Sequence, residues 1–179
     1  IFLATQILWM NLVTDGATAV ALGLEPSTPS QMAEPPKDKH APILGWKGVL
    51  IIGAFGAYTG SASLWLFYST LPEGEALART AAFTGMVFFE KASVFAFRSF
   101  HLPLRIIGGF SNPLLILALG VTLSLQILAV YWPPLQYLLG TVPLPKEQFI
   151  EIALLCLPLV IVPELLKMFV LNTTRRSLA

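Results

Sequence analysis

The chain has 179 residues, 55% of them hydrophobic and only 12% charged, whereas soluble domains of this size carry about 25% charged residues. Together with a mean hydropathy of +0.74, this excludes an ordinary soluble domain and places the chain in the membrane class. A net charge of +1 and the lack of a basic tract exclude nucleic acid as a partner, and the single cysteine, Cys156, excludes an internal disulfide. The first residue is Ile1 rather than Met, an apolar segment begins at once, and no signal-peptide n-region or cleavage site is present. The expectation is a piece of a longer protein.

A helix that crosses the hydrocarbon core needs about 20 mostly apolar residues. In chain order, five stretches qualify: residues 1–24, 46–70, 80–97, 113–132 and 149–171. The expected fold is all-α, one polytopic bundle of five transmembrane helices over residues 1–179. Glu25-Pro26-Ser27-Thr28-Pro29-Ser30 ends the first span and Leu71-Pro72-Glu73-Gly74-Glu75 follows the second. Ser111-Asn112-Pro113 supplies a cap and a first-turn proline for the fourth, and Trp132-Pro133-Pro134 stops it. Basic residues orient the bundle. Lys37, Lys39, Lys47, Arg98, Arg105, Lys167, Arg175 and Arg176 fall on one side, and Arg79 and Lys146 on the other. The richer side, with the C-terminus, is expected to be cytoplasmic.

Polar side chains inside apolar helices carry the chemistry. In the first span Asn11, Thr14 and Asp15 stand at i, i+3 and i+4, on one helical face. Gly16 follows, where a helix can loosen and free backbone carbonyls. Glu90 lies well inside the third span, after Phe88 and Phe89. Asn and Thr in membrane helices often only bond to a neighbouring helix. A carboxylate at the bilayer centre costs about 2.5 kcal/mol or more and usually faces an ion path. Two carboxylates, an amide and a hydroxyl form a hard, all-oxygen set suited to Ca²⁺. Four side chains cannot supply the six to eight oxygens that Ca²⁺ takes, so further ligands are expected from elsewhere.

The run from Gln6 through Trp9-Met10-Asn11-Leu12-Val13-Thr14-Asp15-Gly16 to Leu24-Glu25-Pro26 closely resembles the sixth transmembrane helix of calcium-pumping P-type ATPases. Met32-Ala33-Glu34-Pro35-Pro36-Lys37 resembles the next cytoplasmic loop, and Gly109-Phe110-Ser111-Asn112-Pro113 the start of the ninth helix. Leu157-Pro158 with Glu164-Leu165-Leu166-Lys167 is similar to the tenth. The resemblance covers the chain as helices six to ten. It implies that Asn11, Thr14 and Asp15 are calcium ligands, with Asp15 shared by two ions, and that Glu90 serves the first of the two sites. Sodium-potassium pumps carry an acid at the Asn11 position and a glutamine at the Glu90 position; secretory-pathway and plasma-membrane calcium pumps tend to have methionine at the Thr14 position. The pattern looks most like the sarco/endoplasmic-reticulum type and its prokaryotic relatives, and the short loop before the third span leans to a prokaryotic source and its plasma membrane.

The resemblance further implies an enzyme whose ATP- and Mg²⁺-handling domains and first five helices lie upstream, with H⁺ returning on the emptied carboxylates. No Asp-Lys-Thr-Gly and no Walker-type glycine loop occurs here, so the chain itself is expected to be non-catalytic. A pump for another cation (Mn²⁺ or Na⁺) and a stand-alone membrane scaffold derived from a pump are the other readings. Lys91, next to Glu90, departs from the family. A unit charge about 6 Å from another is worth roughly 3 kcal/mol at an effective dielectric near 20, and a divalent ion doubles that. Lys91 either leans into the pocket and leaves one calcium per cycle, or turns away by the 100° between adjacent helical residues and leaves two. Gly53, Ala57, Gly56 and Gly60 form a small-residue face on the second span, suited to close helix packing. Pro158 and Pro163 are expected to bend the last helix, Glu164 and Lys167 to pair within it, and His40 and His101 are too isolated to hold a metal.

Overall fold

The computed structural model describes residues 1–26, 45–99 and 102–176, with the backbone alone at 47 and 169–176. All regular elements among the described residues are helical. The first predicted span is a helical column of three parts: α1 (Ala4–Trp9), a π-helical segment (Met10–Asp15) and α2 (Gly16–Gly23). The 25-residue α3 (Trp46–Thr70) follows, then a 3-10 turn (Leu71–Glu73) and α4 (Glu75–Phe97). Gly74, at φ 131°, makes the break between them, a conformation that glycine adopts without strain. Helix α4 therefore begins at Glu75, ahead of the predicted Thr80, with Glu75 and Arg79 paired across its first turn. The short α5 (Leu104–Ile107) precedes α6 (Pro113–Tyr131), which Asn112 caps by accepting from the Leu115 amide. Pro133 does not only stop α6; it starts α7 (Pro133–Leu139). The last helix, α8 (Lys146–Arg176), runs on through Pro158 and Pro163.

Among the described residues, three segments are long and apolar enough to cross a membrane: Gly48–Glu73, Pro113–Tyr131 and Lys146–Met168. The other two predicted spans fall on the column that the π segment divides and on α4, which carries Glu90 and Lys91.

Helix α4 is the hub, packed against α3, α6 and α8. Against lipid tails there is no hydrophobic drive between helices, so close packing and hydrogen bonds must hold them. Small residues on α4, among them Ala78, Ala81, Ala82 and Gly85, allow the approach. A Cβ on Gly85 would collide with the Leu66 Cδ1 of α3. Phe83 and Val87 meet Met10 and Ala129 in one buried cluster, while Phe89 meets Leu66 and Ile152 in another. On α3, a Cβ added at Gly53, Gly56 or Gly60 would meet nothing within 4 Å, so this small-residue face is open among the described residues.

Hydrogen bonds tie the bundle at both ends. At one, the buried Arg98 donates to Glu25 (3.0 Å), to the carbonyls of Gly108 and Gly109 (3.0 and 2.8 Å) and to Ser111. Asn112 donates to Glu25 and to the Ala21 carbonyl. The expected Glu164–Lys167 pair is present at 2.9 Å, and it also fastens α8 to its neighbours: Lys167 donates to the Ala96 carbonyl and Glu164 accepts from the Leu104 amide. At the other end Thr70 donates to Gln148, the Val142 amide to Thr80, and Gln6 to the Leu139 carbonyl. Arg98 and Lys167 thus share one end, and Arg79 and Lys146 lie in the elements of the other, the partition expected from the loops. The Met32–Lys37 motif, Lys39, His40 and His101 lie outside the described residues.

The Glu25–Arg98 contact makes stability depend on pH. Burial pushes the Glu25 carboxyl up, but hydrogen bonds from Arg98 and Asn112 and the Arg98 charge outweigh it and hold the group below its ordinary value. A carboxylate whose affinity for protons falls on folding stabilises the fold above its unfolded value of about 4.3, and that contribution is lost as pH falls through the folded value. The thermal midpoint in detergent should drop as pH falls below about 4.3, and Glu25→Gln should remove that part of the dependence. An identical acid limb in the two proteins would exclude the role of Glu25.

Candidate cation site

Helix-breaking geometry in a membrane is tolerated where the backbone lines a polar cavity or is buried in protein. The π segment Met10–Asp15 buries Met10 and Thr14 while Asn11 and Leu12 stay exposed, and π-bulges are frequent at functional sites. Loosening was expected at Gly16; it falls on the six residues before it. Thr14 is fully buried, and its hydroxyl donates back to the Met10 carbonyl (2.9 Å). Its own carbonyl accepts from the Thr18 hydroxyl (2.9 Å).

Lys91, 3% exposed, reaches from α4 into this segment. Its Nζ donates to the Thr14 carbonyl (2.9 Å), to Asp15 Oδ1 (2.9 Å) and to Thr18 Oγ1 (3.3 Å). Thr18 gives its own proton to the Thr14 and Asp15 carbonyls, so towards Lys91 it is an acceptor. Three acceptors around one nitrogen match the three donors of an ammonium. Glu90 Oε2 lies 4.0 Å from the same nitrogen, buried and without a hydrogen-bond partner. Of the two outcomes open for Lys91, the structure has the one that leans inward.

The four residues expected at the site are therefore not equivalent. Asp15 and Glu90, from separate helices, converge on one positive nitrogen. Thr14 joins them through its carbonyl rather than its hydroxyl. Asn11 is exposed and takes no part in the Lys91 contacts. Among the described residues no three His, Cys, Asp or Glu side chains are grouped to hold a metal. Thr18 was not foreseen, although it stands one turn beyond Thr14. Also unforeseen is a buried polar chain beside the site, in which Trp9 donates to Gln126 (3.2 Å) and Gln126 to Thr84 (3.2 Å). An amide within an apolar span was the available signal.

Residues 1–169 match the family described as cation transporting ATPase, C-terminus. The chain belongs to that family. It is similar to a calcium-transporting ATPase of Bacillus subtilis, 34% identical over 86% of the chain and 18% of the relative. It is also similar to the calcium-transporting ATPase type 2C member 2 of Rattus norvegicus, 31% identical over 92% of the chain and 18% of the relative. Calcium-transporting ATPase 1 of Schizosaccharomyces pombe is 34% identical over 77% of the chain and 16% of its own length. The chain thus spans less than a fifth of the length of these relatives.

Gln126→Leu removes the shared partner of Trp9 and Thr84. Polar contacts between membrane helices are worth about 0.6–2 kcal/mol, so the variant should unfold at lower denaturant concentration by an amount in that range. Its Trp9 emission should shift, read against a Trp9→Phe control. Unchanged stability and emission would show that the chain of bonds contributes nothing.

Proposed function

We propose that this chain is the ion-binding transport segment of a P-type ATPase that moves Ca²⁺ across a membrane. The observation that carries the reading is the convergence of Asp15 and Glu90, from two separate helices, on one positive charge inside an apolar bundle. Intramembrane acids are costly and mark ion paths, and the family relatives are calcium-transporting ATPases. In this reading Asn11, Thr14, Asp15 and Glu90 contribute oxygens from the first and third spans, and the protein's remaining helices complete the shell. Five spans cross the bilayer: the column α1–π–α2, α3, α4, α6 and α8. ATP and Mg²⁺ are handled by parts of the enzyme outside this chain, and H⁺ returns when the ion leaves. The end holding Arg98 and Lys167 is cytoplasmic, and the short turn Leu71–Gly74 favours a prokaryotic plasma membrane.

Asp15→Asn in the full-length pump keeps the size of the side chain and removes its charge. Calcium-dependent phosphorylation by ATP should be abolished while expression stays near normal. A phosphoenzyme with unchanged calcium dependence would sink the assignment; the same assay run with Mn²⁺ or Na⁺ in place of Ca²⁺ identifies the ion.

Topology has its own test. In a Cys156→Ser background, a cysteine at Gly74 should react with an impermeant thiol reagent from outside the cell, and one at Ser177 should not. The reverse pattern would invert the bundle.

A further inference from the structure

We propose that the Lys91 ammonium is a resident cation that permanently fills the Glu90 side of the site, so that the pump carries a single Ca²⁺ per cycle. This rests on the calcium-pump reading above. The ammonium holds the Thr14 carbonyl, Asp15 Oδ1 and the Thr18 hydroxyl. Those are the oxygens that a metal ion lying between the π segment and α4 would need. The position is also charged for a tethered cation: Lys91 has Asp15 at 2.9 Å and Glu90 at 4.0 Å. A second positive ion there would have to displace an amine whose three donors are all satisfied, and would be repelled by it at close range.

The other side of Asp15 is open. Its side chain is 41% exposed although Oδ1 is engaged, and Asn11, four residues earlier, is exposed as well. A transported ion therefore binds through Asp15 and Asn11 on the open face. Glu90 stands behind the ammonium, its buried Oε2 4.0 Å from Nζ and without a hydrogen-bond donor, so the ligand set given above narrows to the first span.

The test is equilibrium binding of radioactive calcium to the purified full-length pump, normalised to phosphoenzyme, with the calcium dependence of phosphorylation measured alongside. A ratio near one and a Hill coefficient near one are expected in the wild type. Lys91→Met should raise the ratio towards two, and Lys91→Arg, which keeps a fixed charge, should leave it near one. A wild-type ratio near two overturns the proposal, and so does a ratio that stays at one in a monodisperse Lys91→Met protein. If that variant does not fold, the wild-type ratio and Hill coefficient decide. Absence of any calcium-dependent phosphoenzyme in the wild type defeats the calcium reading itself, and the lysine assignment with it; calcium dependence with two ions defeats the lysine assignment alone.

Discussion

A lysine nitrogen that is almost fully removed from solvent inside an apolar bundle has to be surrounded by oxygen, because the low dielectric offers it nothing else. Lys91 meets that demand from one neighbouring segment, taking a carbonyl, a carboxylate and a hydroxyl from Thr14, Asp15 and Thr18. The contact fixes how α4 stands against the first helical column. It lies beside the cluster in which Met10 packs on Phe83 and Val87, so charge and packing align the same two segments. Only the lysine end of the pair is buried, the Asp15 side chain being 41% exposed, so the contact aligns the two segments while one face of the carboxylate stays open.

That contact lies between two ends that are themselves tied down. Arg98 gathers Glu25, the Gly108–Gly109 carbonyls and Ser111, while Lys167 and Glu164 join α8 to α4 and α5. At the opposite end Thr70, Thr80 and Gln6 each reach a different element. Satisfying every backbone polar group internally is the general condition for a membrane fold. Here side chains such as Arg98, Asn112 and Gln126 add bonds between helices, and the π segment is the one stretch of the first column where the regular ladder loosens.

Much of this was legible in the sequence, for identifiable reasons. Apolar length and Pro/Gly punctuation located the helices, and basic residues sorted their ends, because both depend on composition alone. The boundaries that moved did so through local chemistry: Gly74 released Glu75 to start α4 early, and Pro133 proved to be a first-turn proline rather than a stop. Asp15 and Glu90 stood out because charge in lipid is rare. What spacing could not show was the π register, which an α-helical wheel does not contain. It buries Thr14, leaves Asn11 exposed, and turns a carbonyl rather than a hydroxyl towards the site. Nor could spacing decide the direction of Lys91, since a long side chain can sweep across the 100° between neighbouring positions.

The turn between α3 and α4 bears on how the protein is made. Each charge carried into the centre of a lone helix costs about 2.5–3.5 kcal/mol at insertion, and α4 carries Glu90 and Lys91 together. By itself it is a poor candidate to leave the translocation machinery for lipid. Its neighbour α3 is apolar, only a 3-10 turn and Gly74 away, and packs along it closely enough for Leu66 to occupy the space over Gly85. Entering as a hairpin, α3 would supply the apolar surface that α4 lacks, and Thr14, Asp15 and Thr18 precede Lys91 in the chain. In chain order, then, the oxygens are synthesised before the charge that needs them.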